Sequence, residues 1–238
     1  MKSKLFALAG NEKIFSVLPL LAIILFNSIY FFLDGKTIMD LGSEDGFFEY
    51  FTAICLLISS ILMFRAYKKG VYFLIFLTVL LFFGAGEEIS WGQRLVGVET
   101  PEELKKVNVQ GELNLHNLDI FNRENFDQTV KTGFKKLLTI NTLYRLFIFA
   151  FGFGLPFLVS ISGWASRLVD KLKIPVPPFL VGIHFLLAWF AFKAVAAIFP
   201  LYDPNDNAPE EIFEALTAFV WVMIAMVFIK RKKSAISE

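Results

Sequence analysis

The stretch GAGEEISWGQRL (Gly84–Leu95) puts two adjacent carboxylates, an indole, an amide and a guanidinium directly behind the apolar run VYFLIFLTVLLFF. On a helix Glu87 and Glu88 point about 100° apart, so one cation can hardly serve both. Either carboxylate is then a candidate general base, acting on water or on an acceptor hydroxyl. Arg94 is a candidate for stabilising an oxyanion or a phosphate, with Trp91 and Gln93 beside it as supporting groups. A second polar stretch, NVQGELNLHNL (Asn108–Leu118), supplies His116, with Glu112 four residues before it. If that stretch is helical, Glu112 and His116 share a face, as an acid-oriented imidazole or a metal pair would. Gln110, Asn114 and Asn117 add hydrogen-bonding groups between leucines that need cover.

Other chemistries lack their parts. His116 and His184 are the two histidines of the chain, so a three-histidine site is excluded. There is no HExxH, His-x-x-x-His, Gly-x-Ser-x-Gly or P-loop pattern. A divalent metal is the one cofactor the residues leave open, held by Glu87, Glu88, Glu112 and His116; a three-ligand zinc site here would need two carboxylates. Cys55 is alone, so no intrachain disulfide forms. A net charge of +1 gives no reason to expect nucleic acid.

The elements that must position these groups are apolar. Hydrophobic residues make up 56% of the 238, mean hydropathy is +0.60 and there are 29 phenylalanines, too greasy for a soluble domain. A spanning helix needs roughly 20 mostly apolar residues. Six stretches qualify: Ile14–Leu33, Gly46–Phe64, Val71–Trp91, Thr142–Ser162, Pro178–Phe199 and Ile212–Ile229. Lys2, Lys4 and Lys13 precede the first, which lacks a small-x-small cleavage site and reads as an uncleaved anchor. Basic residues cluster at the N-terminus, at Arg65–Lys69, at Arg167–Lys173 and at Lys230–Lys233, whereas the alternate loops DGKTIMDLGSED and LYDPNDNAPEE are acidic. This asymmetry predicts both termini in the cytoplasm.

The connection over about 92–141 is then on the outer side and too long for a plain turn. Thr100-Pro101-Glu102-Glu103 reads as a helix start, with Thr as N-cap and Pro at the first helical position. Val130, Phe134, Leu137 and Leu138 recur at helical spacing among lysines, as in a segment lying in the membrane interface. The whole connection is expected to fold back as a lid.

Depth follows from 1.5 Å of rise per residue. Glu87 and Glu88 fall ~24 Å from the inner face, Lys193 ~9 Å inside the outer one, and Glu49, Glu214 and Arg145 about one turn in. These groups predict one outer-leaflet layer, near neutral in charge because an unpaired ion there costs at least ~2.5 kcal/mol at mid-membrane. Such a layer is either a salt-bridge network that fixes packing or a polar cavity open to the outer side. His184 lies ~13 Å below it and is expected to hydrogen-bond within the bundle. DGFFEYFTA (Asp45–Ala53) also aligns with EEIFEALTA (Glu210–Ala218), each opening a span from the same side. The alignment fits a duplication, and it also fits the general preference of helix starts for acids.

GEEISWGQRLVG, then TPEEL, then NVQGELNLHN resembles a family of uncharacterised bacterial multi-pass membrane proteins. Those share EEISWGQR, a downstream NLHN element and acidic EDG…E span starts, as in Glu44-Asp45-Gly46 and Glu49 here. The resemblance covers most of the chain and implies a bacterial inner or plasma membrane protein without naming an activity. More distantly, a Glu pair near an Arg in a membrane helix, with histidine contributed elsewhere, is similar to the CAAX-prenyl-protease-like intramembrane proteins, in which such groups activate water. That likeness carries to Glu87, Glu88, Arg94 and His116. Arg94 stands six residues after Glu88 rather than four, and Ala188 follows His184 where that family has Asn, so the chemistry carries over and the spacing does not.

The expected fold is all-α: one polytopic membrane bundle over residues 1–238, with six transmembrane helices and interfacial or lid helices between the third and fourth. The expected function is an outward-facing intramembrane hydrolase or transferase acting on a lipid, lipid-linked or membrane-embedded substrate. Its site is drawn from Glu87, Glu88, Glu112, His116 and Arg94, supported by Trp91, Gln93, Asn117, Glu49, Glu214, Lys193 and Arg145. An ion- or proton-coupled carrier using the same carboxylates is the alternative, and a non-enzymatic structural or binding protein the third. The cytoplasmic halves of the spans are almost uniformly apolar, which favours a one-sided site. Membrane lipids are the expected partners, and no oligomeric state is implied.

Overall fold

The computed structural model describes residues 12–123, 125–127, 129–199 and 207–237, the last four of these without their side chains. Among the described residues every regular element is helical. The chain divides into two compact units, Met1–Ala85 with Phe149–Glu238, and Gly86–Ile148.

The first unit is an apolar bundle. It contains α1 (Ile14–Phe32), α2 (Gly35–Leu41), α3 (Phe47–Ala66), most of α4 (Tyr72–Glu88) and the helices that follow Ile148. Its α2 starts at Asp34, whose carboxylate accepts from the Thr37 amide at 3.0 Å and the Thr37 hydroxyl at 2.7 Å. Those bonds, the hydroxyl first, hold the Asp34 carboxyl below the usual carboxylate range. Five helical stretches are long and apolar enough to cross a membrane: α1, α3, Ile140–Ile161, α11 (Phe179–Ile198) and α12 (Ala208–Ser237) through Lys233. The third expected span, Val71–Trp91, differs. Its helix, α4, ends at Glu88 and qualifies only together with Ser90–Val96, from which it bends by 65°.

Parallel packing of α3 and α12 organises this unit. At one end Gly42, just before α3, lies against Ala208, where any side chain would collide. At the other end the Lys232 ammonium donates to the carbonyls of Arg65 and Tyr67 at 2.8 and 2.7 Å, using carbonyls that the end of α3 leaves open. The two similar stretches, DGFFEYFTA and EEIFEALTA, therefore start neighbouring helices that run the same way. Trp221 of α12 is fully buried, with Phe151 stacked on it at 5.7 Å and Phe185 at 5.5 Å. Phe151 belongs to a π-helical stretch, Phe149–Gly154, that leads into α9 (Leu155–Ile161). Gly182 of α11 lies so close to the Gly152 backbone that a Cβ has no room. His184 bonds the Val181 carbonyl through Nδ1 at 3.1 Å, within its own helix as expected. A tenth helix, α10 (Gly163–Leu172), was not expected and is capped by Ser162, whose hydroxyl accepts from the Ala165 amide.

The described residues of the Gly86–Ile148 unit that follow α4 hold only short helices: a 3-10 turn at Ser90–Gly92, α5 (Gln93–Val96), α6 (Glu102–Lys105), α7 (Gly133–Leu137) and α8 (Ile140–Ile148). Thr100 does not cap α6. Pro101 holds the cap position, and the Thr100 hydroxyl accepts instead from Gln93 Nε2 at 2.5 Å. The acidic loop over 201–206, the lysines at 2 and 4 and any start of the chain before residue 12 lie outside the described residues.

Candidate functional site

The two polar motifs build one hydrogen-bonded node within Gly86–Ile148. It begins where α4 stops. Ser90, Trp91 and Gly92 all have positive φ, at 44°, 54° and 76°, so the chain makes a left-handed turn one residue after Glu88. For Ser and Trp this conformation costs about 1–2 kcal/mol each, and side-chain bonds offset it. The turn throws the Trp91 ring back onto Gly86, where a Cβ would meet the ring at 2.7 Å. The indole N–H then donates to Glu87 Oε1 at 2.7 Å. Gly86, Glu87, Trp91 and Gly92 thus form a helix terminus whose spacing in the sequence is set by this folding back.

Glu87, 6% exposed, binds the second motif as well. Its Oε2 accepts from the backbone amides of Leu115 and His116 at 2.7 and 2.9 Å, and the His116 Nδ1 stands 3.5 Å away. Glu112 makes a parallel junction. It pairs with Arg94 through Oε1 and accepts at Oε2 from the Ser90 hydroxyl at 2.7 Å and the Asn114 amide at 2.7 Å. Gln93 adds a third link, accepting from the Leu113 amide at 2.6 Å.

Short amides hold the second motif in shape. Asn108, 1% exposed, donates to the Asn114 side chain at 3.0 Å and main chain at 2.9 Å and accepts from the amides of Gln110 and Glu112. Asn117 donates to Gln110 and, at 3.4 Å, to Glu112, and accepts from Asn122. Backbone bonds from Val109 to Asn117 and from Asp119 to Val107 close the loop, both at 2.8 Å. Gly111, with φ of 69°, takes the left-handed position in the bend. Further along, the buried Lys131 ammonium ties down the carbonyls of Asp119 and Asn122.

Several expectations change in this light. Residues 108–118 are not helical, so Glu112 and His116 do not form a pair on one helix face. Each instead joins the first motif separately, Glu112 at Arg94 and Ser90, His116 at Glu87. Arg94 neutralises Glu112, and Glu87 is met by N–H donors and an imidazole. Glu88 closes α4 and is half-buried, as is Arg145 in α8. Among the described residues no group of three or more His, Cys, Asp or Glu side chains is arranged to hold a metal ion, so Glu87, Glu88, Glu112 and His116 do not converge as ligands.

The remaining residues of the expected charged layer belong to the bundle unit. There Lys193 is exposed, with its ammonium 4.6 Å from the Phe192 ring centre. Glu49 is buried and accepts from the Asp45 amide. Glu214 gathers with Glu44, Glu49, Glu210 and Glu211 around the paired starts of α3 and α12. Sequence reasoning did not single out Ser90, Asn108 or Gly86. The readable signal was the run of Asn at 108, 114 and 117 between leucines, without helical period, since short amides there compete for backbone groups.

No protein-family model matches the chain, and comparison with curated proteins and with solved structures finds no match either.

Proposed function

We propose that the Gly86–Ile148 node is the acid–base centre of a membrane-embedded hydrolase or transferase. In this reading His116 carries the proton and Glu87 orients it. The carrying observation is that the imidazole stands 3.5 Å from Glu87 Oε2 through Nδ1 while 31% of its side chain stays exposed. Both Glu87 oxygens already accept N–H bonds, from Trp91, Leu115 and His116, which leaves the carboxylate little capacity to take a proton from water. With Nδ1 turned to Glu87, Nε2 is the nitrogen that takes and returns a proton, the role an imidazole fills near neutral pH. A buried carboxylate fixing the tautomer of a half-exposed histidine is the acid–His arrangement used in nucleophilic and water-activating sites.

Trp91, which shares Glu87 with this imidazole, and Leu115, the chain neighbour of His116, are 42% and 46% exposed. With five helices able to cross a membrane in the same chain, that exposed pair favours a lipid or lipid-linked substrate. Six spans with both termini cytoplasmic, and the node on the outer side, complete the proposal; the Lys/Arg asymmetry supports that orientation. The resemblance to bacterial membrane proteins sharing EEISWGQR and NLHN fits it, since those two motifs are the two halves of the node.

Diethyl pyrocarbonate, which acylates an accessible imidazole nitrogen, tests the reading without a known substrate. His116 is expected to react readily in the folded protein and the buried His184 slowly. An unreactive His116 would sink the proposal. In a screen of lipid esters and phosphate esters, His116→Ala is then expected to lose at least ~100-fold in rate and Glu87→Gln somewhat less. Full turnover by the His116→Ala protein would remove His116 from the chemistry.

A carrier remains the second reading, on one observation. Among the described residues Glu211 Oε2 is buried without a hydrogen-bond partner, within electrostatic reach of Glu214, Glu49, Glu210 and Glu44. Proton or cation flux into proteoliposomes that Glu211→Gln abolishes and His116→Ala leaves unchanged would favour it.

A further inference from the structure

Helix α10 is built to lie on a surface. At about 100° per residue its side chains sort into stripes. Ala165 and Val169 form one stripe and are buried against the bundle. The next stripe is Trp164, Leu168 and Leu172, which are 67%, 37% and 56% exposed. Beyond it run Arg167 and Lys171, both exposed. An apolar stripe left open between a docked face and a basic edge is the pattern of a helix sunk to its middle in a membrane interface, with long basic side chains reaching toward the headgroups.

The fold brings more positive charge to the same end of the bundle unit. Lys173, at the end of α10, has its ammonium 2.9 Å from the place a Cβ on Gly70 would occupy, so it adjoins the Lys68-Lys69 loop. Lys232 reaches the carbonyls of Arg65 and Tyr67, which brings the Lys230–Lys233 run beside that loop too. Three basic segments far apart in the chain thus converge around α10. Asp170 is the acid within these segments, and Glu12, from the start of the chain, lies by Arg231 at 3.5 Å.

We infer that α10 and this basic belt bind the anionic headgroup layer of the bilayer, with Trp164, Leu168 and Leu172 immersed among the upper acyl carbons. The inference rests on the apolar helices crossing a bilayer, and its chemistry is that of an anionic phospholipid surface. Nearby basic side chains each add to the attraction for such a surface, and salt weakens it.

The test uses the full chain in nanodiscs of phosphatidylcholine and phosphatidylglycerol, with bromine near the headgroup on one lipid or the other. The Trp164 signal is the difference between the wild type and Trp164→Phe, which removes the contribution of Trp91, Trp189 and Trp221. Brominated phosphatidylglycerol is expected to quench Trp164 more than brominated phosphatidylcholine. Arg167→Gln with Lys171→Gln is expected to cut that preference at least about three-fold, and Arg167→Lys with Lys171→Arg to keep it. Both sites are exposed, so the fold should persist. A Trp164 that neither lipid quenches means protein covers the stripe and overturns the inference. Equal quenching by the two lipids, or an unchanged preference in the double variant, overturns it as well. Protein that fails to incorporate into nanodiscs overturns the membrane reading itself, which separates the two failures.

Discussion

The two units of this chain are held by different forces. Among the described residues, the large side chains buried almost completely are nearly all in the bundle unit: Trp221, Phe185, Phe213, Met63 and Leu77 lead them. Among the described residues of Gly86–Ile148 the one buried apolar residue is Ile148, against Glu87, Ser90, Thr100, Asn108, Asn114, Asn117, Lys131 and Thr139. Burial of apolar area, at roughly 25 cal/mol per Å², is non-directional and tolerates small shifts. A buried hydrogen-bond network is directional. Each bond contributes only about 0.5–1.5 kcal/mol net, but a donor or acceptor left unmatched costs about 1–3 kcal/mol. The first unit should therefore fail when its volume changes, and the second when its polar groups are deleted.

Asn114→Ala is the strongest way to break that contrast. The Asn114 side chain donates to Ser90 and Glu112 and accepts from Asn108 and the Asn117 amide, at 2% exposure. Its loss strands several partners, so the local cost is expected to be about 3–4 kcal/mol. Hydrogen exchange at the Val109 and Asp119 amides should then accelerate at least ~100-fold, with amides of α3 and α12 unmoved. Unchanged exchange at those two amides would mean the network is not what holds this unit.

Gly182→Ala probes the other side. Its Cβ would enter the Gly152 carbonyl, and a backbone cannot rotate aside as a side chain can. The expected cost is about 2–3 kcal/mol, read as a lower unfolding midpoint and altered fluorescence of Trp221. Equal stability of Gly182→Ala and wild type would show the bundle to be looser than its close contacts imply. Gly86→Ala comes next, at about 1–2 kcal/mol. The Trp91 ring it meets lies at the exposed edge of the node and can swing away, giving up the bond to Glu87. Loss of that bond should show as a red-shifted Trp91 emission, and an unshifted spectrum counts against the folded-back turn.

The same difference explains what could be read from the sequence. Helical periodicity and length located the starts and ends of the apolar helices within a few residues, because a spanning helix is defined by local composition. The last helix is the exception, running from Ala208 to Ser237 rather than from Ile212 to Ile229: Ala, Pro and Glu are good first-turn residues although they lower mean hydropathy, and the basic tail continues the helix past the apolar stretch. The node was legible only in its parts list. Glu87, Glu112, His116, Arg94, Gln93, Trp91 and Asn117 all fall in it, yet their pairing did not follow from spacing. That pairing depends on three left-handed residues in a row at Ser90–Gly92, which no periodicity encodes. Thr100 shows the failure most simply: a sound local cap signal lost to Gln93, because a partner in the folded unit was available. The stripes of α10 are present on a helical wheel, but Gly163–Leu172 is too short and polar to stand out as a span.

The smallest expected effect is the most exacting check. Ser60 in α3 is 4% exposed and donates to the Thr78 carbonyl of α4 at 2.8 Å, so it is a buried polar contact inside the unit that packing is said to hold. If the contrast between the units is sound, this bond should matter little. Thr78 lies inside a helix, where its carbonyl already has the backbone partner that helical geometry supplies. Removing the hydroxyl leaves no acceptor bare and opens a void smaller than a methyl group. Ser60→Ala is therefore expected to cost about 0.5–1 kcal/mol, several-fold less than Asn114→Ala despite similar burial. Equilibrium unfolding of both variants in one detergent, followed by the core tryptophan and by exchange at Val109, makes the comparison. A Ser60→Ala cost as large as that of Asn114→Ala would show that buried hydrogen bonds are equally critical in both units. Division by type of force would then give way to one in which the bundle, too, is fixed by its polar contacts.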